Sequence, residues 1–523
     1  MRLNAATVAC VTAALATGLV AGALAAGTGA AVPAEPDVGQ LQAALMAHRT
    51  TVTGVARHYL QRINELDVHG PALHAIIQVN PDALKLAREL DARPSAGGIL
   101  YGVPVVLKDN IETADALLTT AGSLALMDSK PRQDAFIVRR LRAAGALILA
   151  KSNLSEWANF RSSHSTSGWS GRGGLTRNPY DITRNACGSS SGSGAAVAAD
   201  LTVLAVGTET DGSIVCPSSF NGLVGIKPTV GLVSRSGIIP ISARQDTAGP
   251  MARSVADAAA LLTVLAGYDP DDPATAGLKT APPPDYRTFL DAKGLQGRRI
   301  GVVRKLAGFD EHVDVLFDRA LQVLRAQGAV IVDPVELPNA DKLSADELTA
   351  LLYEFKDGLN RYLPTRAGTS PRSLAEVIAW NNAHAARELD WFGQDIMVSA
   401  QAKGPLTEAA YREARERARR LAGPEGIDAA LAHDHLDALV APTASPTFVN
   451  DLVNGDHIVG GGITAPPAIA GYPHITVPMG AVRGLPVGLS IVGPAFSEPK
   501  LIAMAFAYEQ ASHARRPPPL PAR

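Results

Sequence analysis

Apolar and polar residues alternate along the chain in segments that predict helices and strands in turn. An apolar position every three or four residues predicts a helix, and short runs that are apolar throughout predict buried strands. Helices are predicted over residues 38–66, 134–144 and 192–201, and strands over residues 103–107, 146–150, 203–206 and 299–303. This alternation favours an α/β fold with helices on both faces of one sheet. Because no linker clearly divides the chain, we expect a single large domain.

A later stretch, residues 343–422, has mainly helical patterning. A helical region beside the sheet is suited to covering a site at the sheet edge. We therefore expect residues 343–422 to form a cap within the same domain.

The N-terminal segment has a different composition. No charged residue lies between Arg2 and Glu35, and Ala23-Leu24-Ala25 offers an A-x-A cleavage site. These features predict a signal peptide at residues 1–25 that is cleaved after residue 25. The latest cleavage position compatible with the sequence is about residue 32. Residues 33–523 would then form a secreted or periplasmic domain with no stable membrane insertion. A membrane anchor is the alternative, since about 20 residues can span a bilayer, but the many Ala, Gly and Thr residues here insert weakly.

Overall composition excludes several classes of protein. The 523 residues include 48 Lys+Arg and 50 Asp+Glu, so the formal net charge is −2. A chain this close to neutral is not built for electrostatic binding of nucleic acid. The three cysteines, Cys10, Cys187 and Cys216, are too few for a disulfide framework or a four-cysteine metal site. We expect no metal and no cofactor, and the sequence leaves the oligomeric state open.

Three segments could carry chemistry. A Gly/Ser-rich run at residues 187–194 opens a helix of small residues, and the turn at residues 207–214 places Ser213 just after a strand. Successive N–H groups in such a turn can form an oxyanion hole. Lys108 directly follows the strand predicted over 103–107. A buried neutral lysine can act as a general base. Each segment alone also has an ordinary interpretation: a flexible loop, a polar turn and a solvated lysine.

Other catalytic motifs fit less well. Residues 188–192 match G-x-S-x-G, but the nucleophile elbow needs a strand directly before it, and the preceding residues are turn-like. Ser497 and Lys500 match S-x-x-K without the partner motifs, and Pro499 disfavours a helix there. His433-Asp434-His435 lacks the further ligands of a metal site.

The three segments, in this order, resemble the amidase signature family of serine hydrolases. The family's lysine-containing run is matched at residues 102–109 (GVPVVLKD), and Ser213 lies 24 residues after Ser189, as the family pattern requires. Further matching stretches are residues 145–158, 222–228, 246–253 and 484–488. The resemblance covers nearly the whole mature chain and implies a central mixed β-sheet.

The resemblance also implies the catalytic roles. Ser213 would be the nucleophile, and Ser189, after a cis peptide bond, would relay a proton between Ser213 and Lys108. The backbone N–H groups of Thr210, Asp211, Gly212 and Ser213 would form the oxyanion hole. The stretches most similar to bacterial peptide amidases are residues 156–161, 171–174, 208–217, 237–242 and 352–356. This similarity implies a peptide or small-molecule amide as substrate, most specifically the C-terminal amide of a peptide.

Alternatives remain within this resemblance. The substrate could be an aryl or fatty acyl amide, or the chain could belong to an amidotransferase complex that works on tRNA, although its leader and its lack of excess basic charge disfavour the latter. The sequence departs from the family pattern at Cys187, Asp211 and Val215, which stand where Gly, Gly and Arg are usual. Because Cys187 and Cys216 each lie within three residues of a proposed catalytic serine, we expect them to be close together. The sequence does not decide whether they pair, and we favour buried free thiols.

Overall fold

A mixed sheet of eleven strands forms the centre of the computed structural model, which describes residues 32–93 and 98–520. The leader predicted at residues 1–25, with Cys10, lies outside the described residues. In chain order the strands are β1 (Ile76–Val79), β2 (Pro104–Lys108), β3 (Leu147–Ser152), β4 (Trp169–Ser170), β5 (Gly174–Leu175), β6 (Arg177–Asn178), β7 (Asp181–Asn185), β8 (Leu204–Glu209), β9 (Val224–Lys227), β10 (Thr247–Ala252), β11 (Arg299–Val302), β12 (Val330–Val332), β13 (Ala438–Pro442), β14 (His474–Val482) and β15 (Leu485–Val492).

The strand order in the sheet is β1-β3-β2-β8-β10-β9-β14-β15-β13-β11-β12. Strands β3, β2 and β8 run parallel to one another, as do β13, β11 and β12, and the pairs between these groups are antiparallel. The mixed sheet expected from the resemblance is therefore confirmed. The pairs β4–β5 and β6–β7 form two small separate hairpins.

Helices flank the sheet and complete the α/β fold. They are α1 (Val38–Met46), α2 (Val52–Arg62), α3 (Ala83–Asp91), α4 (Phe136–Ala143), α5 (Ser191–Ala198), α6 (Val215–Phe220), α7 (Val255–Leu265), α8 (Glu311–Ala326), α9 (Ser344–Tyr362), α10 (Leu374–Ala383), α11 (Ala385–Glu388), α12 (Asp395–Gln401), α13 (Ala409–Ala422), α14 (Asp428–His433), α15 (Ala465–Ala470) and α16 (Glu498–Ser512). Helices α5 and α6 pack together against the sheet, and α7, α8 and α16 form a second packed group. Within the described part of the chain, no helix is long and apolar enough to span a membrane.

One predicted helix is wrong in its extent. Residues 38–66 were expected to form a single helix, but α1 ends at Met46 and α2 begins at Val52. His48 has a positive φ of 52°, which no helix interior accommodates. Thr51 then caps α2 by accepting a hydrogen bond from the Gly54 N–H. The apolar period continues across the break because both helices pack on the same core.

The functional segments meet at one edge of the sheet. Strands β2 and β8 are parallel neighbours, with Leu107 opposite Val206. Their carboxyl ends therefore lie side by side, which is where open α/β sheets place their ligands. Every residue of β2 and β8 is buried, so side chains at these strand ends are held in a dry, rigid setting.

Candidate active site

Lys108, the last residue of β2, is completely buried. Its Nζ lies 2.7 Å from Ser189 Oγ, 2.9 Å from Thr208 Oγ1 and 3.0 Å from the Thr208 carbonyl oxygen. Removal from water disfavours the ammonium form and lowers the pKa of Lys108 to about 7, although the charges of Glu209 and Asp246 oppose this shift. A neutral amine therefore forms near pH 7. It can give two protons to Thr208 and keep a lone pair for the Ser189 hydroxyl.

Ser189 lies in the loop before α5 and is also fully buried. The Gly188–Ser189 peptide bond is cis, as the family resemblance implied. The Ser189 carbonyl oxygen accepts a hydrogen bond from the Ser155 N–H over 3.0 Å, which fixes the loop. A Cβ at Gly188 would clash with the Ser155 side chain, so this position requires glycine.

Ser213 lies in the turn between β8 and α6 and is 7% exposed. It lines a cavity of about 360 Å³, as does Gly188, the neighbour of Ser189. The Ser190 N–H donates to the Ser213 carbonyl oxygen over 3.2 Å and ties the two serine-bearing loops together. The tertiary structure thus brings Lys108, Ser189 and Ser213 to one place, although 81 residues separate Lys108 from Ser189.

The turn before Ser213 carries the four backbone N–H groups expected to bind an oxyanion. Thr210, Asp211, Gly212 and Ser213 all line the cavity. Across the described ranges, the N–H groups of Asp211 and Ser213 meet no protein acceptor. The Gly212 N–H, in contrast, interacts with the Glu209 carboxylate. Gly212 has a φ of 73°, which favours glycine at this point of the turn.

Two acids, the buried Glu209 and the partly buried Asp246, organise the surroundings of this turn. Glu209 Oε2 accepts from the Ile214 and Val215 N–H groups over 2.7 and 3.0 Å, which anchors the start of α6. Asp246 accepts from the Thr210 hydroxyl over 2.6 Å. Burial raises the pKa of both carboxyl groups, that of Asp246 to about 6. The sequence reasoning assigned neither acid a role, although both lie within stretches that it singled out.

Cys187 and Cys216 form a disulfide, so the expectation of free thiols is wrong. The loops that carry Ser189 and Ser213 face each other and bring the two Cα atoms within 6.0 Å, a separation that a disulfide spans. The bond lines the cavity and packs with Phe220 and Phe448 in one apolar cluster.

The rest of the cavity wall combines apolar and polar side chains. Leu351 of α9 contributes to it, so the helical region 343–422 borders the site. Further apolar groups come from Phe160, Ile241 and Ile458, and hydrogen-bonding groups come from Asn159, Asp211, Thr443, Ser445 and Asp456. Such a wall suits a ligand with both apolar side chains and polar backbone groups.

The competing motifs do not form a site. No histidine of the described chain lines this cavity, so the G-x-S-x-G match at residues 188–192 has no histidine base in the cavity wall. Ser497 donates to the Pro494 carbonyl oxygen, and Lys500 pairs with Asp437 at 2.9 Å. Among residues 32–93 and 98–520, no group of three or more His, Cys, Asp or Glu side chains could hold a metal ion.

Comparison with known proteins places the chain among amide-cleaving enzymes. The Amidase family model matches residues 55–502. A "Probable amidase" of Arabidopsis thaliana is 42% identical over 503 residues, covering 92% of this chain and 91% of the relative. One component of the glutamyl-tRNA(Gln) amidotransferase of Symbiobacterium thermophilum is 35% identical over 494 residues, covering 91% of this chain and 97% of the relative.

Among solved structures, the native peptide amidase of Stenotrophomonas maltophilia is similar to this chain over almost its whole length. The two share 56% sequence identity with a TM-score of 0.88, and the match covers 93% of this chain and 98% of the peptide amidase. The similarity therefore includes the sheet, the helices and the elements that carry the candidate site.

Proposed function

The chain belongs to the amidase family, and we propose that it hydrolyses the C-terminal amide of peptides to a free acid and ammonia. Membership makes it a hydrolase of amide C–N bonds. The Lys108 Nζ–Ser189 Oγ hydrogen bond of 2.7 Å carries the mechanistic proposal, because it places a base of suitable pKa one hydroxyl away from the cavity that Ser213 lines. The similarity to peptide amidase supports the choice of substrate.

Acylation begins with the neutral amine of Lys108. The amine accepts the proton of Ser189 Oγ, and Ser189 takes the proton of Ser213 Oγ as that oxygen attacks the amide carbon. The unpaired N–H groups of Asp211 and Ser213 receive the negative charge that develops on the carbonyl oxygen. Thr210 and Gly212 complete the proposed oxyanion turn.

The same groups then act in the opposite direction. The Lys108 ammonium returns a proton through Ser189 to the amide nitrogen, the C–N bond breaks, and ammonia leaves. Water attacks the acyl-Ser213 ester, and its proton passes through Ser189 to Lys108. The Ser213 Oγ–carbon bond then breaks, Ser213 Oγ takes a proton back from the Lys108 ammonium through Ser189, and the acid is released.

The shape and polarity of the cavity favour a peptide over the rival substrates. A volume of about 360 Å³ lies at the lower end of ordinary ligand sites. Its polar side chains, such as Asn159 and Asp456, match peptide groups better than a long hydrocarbon chain. We therefore rank aryl and fatty acyl amides below peptide amides, and the tRNA-linked reaction of the amidotransferase relatives below both.

A substrate panel tests the proposal. A peptide amide, the matching free peptide, an aryl anilide and a long-chain acyl amide are incubated with the enzyme, and both ammonia and new peptide termini are measured. We expect ammonia from the peptide amide and no cleavage of internal bonds. Faster turnover of the anilide or the acyl amide would refute the peptide assignment.

A variant series tests the catalytic roles. Ser213→Ala is expected to abolish hydrolysis while leaving the melting temperature close to that of the wild type, because the change removes only one oxygen. Ser399→Ala, at an exposed serine of α12 that does not line the cavity, serves as a matched control that retains turnover. Hydrolysis retained by Ser213→Ala would remove Ser213 as nucleophile.

We also propose export of the protein through its N-terminal segment. The uncharged stretch after Arg2 and the A-x-A sequence at residues 23–25 support this proposal. N-terminal sequencing of the protein from the medium or periplasm should find a start between residues 26 and 33. Full-length protein retained in the cytosol would contradict it.

A further inference from the structure

A small polar chamber adjoins the substrate cavity. The chamber has a volume of about 10 Å³ and shares Ala158, Thr210 and Ile241 with the substrate cavity. Space of this size holds about one water-sized molecule. The chamber is therefore an extension of the site for a single small molecule, too small for any side chain of a substrate.

The walls of the chamber are rich in hydrogen-bond acceptors. Asn110 lines it and is 3% exposed, yet its Oδ1 has no hydrogen-bond partner within the described chain. Asp246 and Thr208 also line the chamber, as does Arg235, whose guanidinium already donates to Asp272 and to the Ala243 carbonyl oxygen. A buried acceptor without a partner is costly, so the occupant should be a hydrogen-bond donor. The side chains here do not form a metal-binding group of His, Cys, Asp and Glu among the described residues.

The chamber also lies next to the proton source. Thr208, one of its walls, accepts from Lys108 Nζ through both its hydroxyl and its carbonyl oxygen. The Asn110 Nδ2 donates to that hydroxyl over 3.0 Å. The chamber thus borders the residue that holds Lys108 Nζ, the group from which a departing nitrogen would receive its proton through Ser189.

We propose that this chamber is the leaving-group site: it receives the ammonia released from the substrate and then holds the water that hydrolyses the acyl-enzyme. The inference rests on the proposed function and adds the residues that restrict the enzyme to primary amides. Ammonia offers three N–H donors to Asn110 Oδ1 and its neighbours, and water, of almost the same size, offers two.

The exchange is balanced at each step. When the Ser213 Oγ–carbon bond has formed and the C–N bond breaks, the nitrogen takes one proton from Ser189, which regains one from the Lys108 ammonium. Neutral ammonia enters the chamber and diffuses away. Water takes its place, loses a proton through Ser189 to Lys108 and attacks the ester carbon, and Ser213 Oγ recovers a proton as the acid leaves.

The size of the chamber accounts for selectivity between amides. An internal peptide bond has an amine with a Cα substituent as its leaving group, and this group is larger than the chamber. Three isoleucines, Ile238, Ile239 and Ile241, form the apolar wall that sets the limit. One extra methyl group against such a wall typically changes specificity by about 10–200-fold.

The test compares a peptide amide with the N-methylamide of the same peptide. We expect the wild type to prefer the primary amide by roughly 10–200-fold in kcat/KM. Ile239→Ala enlarges the chamber and should narrow this ratio at least about tenfold, mainly by raising kcat/KM for the N-methylamide. Ile378→Ala is the matched control, because Ile378 packs against the same apolar cluster as Ile239 but lines neither cavity. Its ratio should equal that of the wild type.

Ile238→Ala also removes a side chain that lines the chamber, but Ile238 packs in a different core cluster from Ile239. This variant replaces Ile239→Ala in the test if Ile239→Ala fails to fold. An unchanged ratio in the folded wall variants, or equal turnover of both amides by the wild type, would overturn the leaving-group assignment while the proposed function stands. Absence of ammonia release from the primary amide by the wild type would instead overturn the proposed function, and the chamber assignment with it.

Discussion

Replacement of Lys108 by methionine should inactivate the enzyme and stabilise its fold. Lys108 is fully buried, and burial lowers its pKa from 10.5 to about 7. Each pH unit between the pKa values of the folded and unfolded states corresponds to about 1.4 kcal/mol. At pH 6, where the amine is mostly protonated in both states, this lysine lowers the free energy of unfolding by about 5 kcal/mol. At pH 9 the folded state is already neutral, and the loss falls to about 2 kcal/mol.

The direction in which stability changes with pH follows from proton binding. Between pH 7 and 10.5 the unfolded chain binds more protons at this site than the folded protein, so wild-type stability rises with pH across that window. In Lys108→Met, Thr208 Oγ1 keeps its bond from Asn110 and the Thr208 carbonyl oxygen keeps its bond from Ser190. Loss of the other hydrogen bonds of Lys108 lowers the free energy of unfolding of the variant by about 1–3 kcal/mol, which offsets part of the gain. We therefore expect a net stabilisation of about 2–4 kcal/mol at pH 6, and near-equal stability at pH 9.

Urea unfolding followed by circular dichroism at pH 6 and pH 9 measures this difference, and ammonia release from a peptide amide measures activity. Lys305→Met is the matched control, because the Lys305 side chain is 73% exposed and stays protonated at both pH values. A stability difference between wild type and Lys108→Met that is the same at pH 6 and pH 9 would refute the assignment of a strongly shifted amine.

Three further predictions concern the pH dependence of the base, the disulfide and a buried arginine. The kcat/KM for a peptide amide should rise through about pH 7 and level off above it, because the neutral amine of Lys108 is the base; a profile that is flat from pH 5 to 9 would contradict this role. Replacing Cys187 and Cys216 together by alanine should lower the free energy of unfolding by about 2–4 kcal/mol, and an unchanged urea midpoint would argue against the disulfide. Arg161→Ala should lower the free energy of unfolding by about 3–5 kcal/mol in the same assay, because the buried guanidinium lies 2.8 Å from Glu156 Oε1 and donates to two backbone carbonyls. A decrease below about 1 kcal/mol would show that the Arg161–Glu156 pair is dispensable for stability.

Local patterning predicted the individual elements well. The apolar run at residues 103–107 became β2, and the small-residue helix expected at 192–201 became α5 over Ser191–Ala198. The break within residues 38–66 was missed because the apolar period of both helices faces one core, and hydrophobic spacing does not register a residue of positive φ such as His48. Sheet order was also beyond the sequence, since it depends on pairings between distant strands.

For the site, the sequence by itself determined the chemical groups: Lys108 at a strand end, Ser189 in a Gly/Ser run and Ser213 in a turn, in the order and spacing of an amidase. Only the tertiary structure decided their environment. It buried Lys108 and so lowered its pKa, joined Cys187 to Cys216, and left Asn110 Oδ1 unpaired beside a chamber for one small molecule. The reason is physical: residue type and spacing are local properties, whereas desolvation, disulfide pairing and cavity volume arise where segments about 30 to 100 residues apart pack against one another.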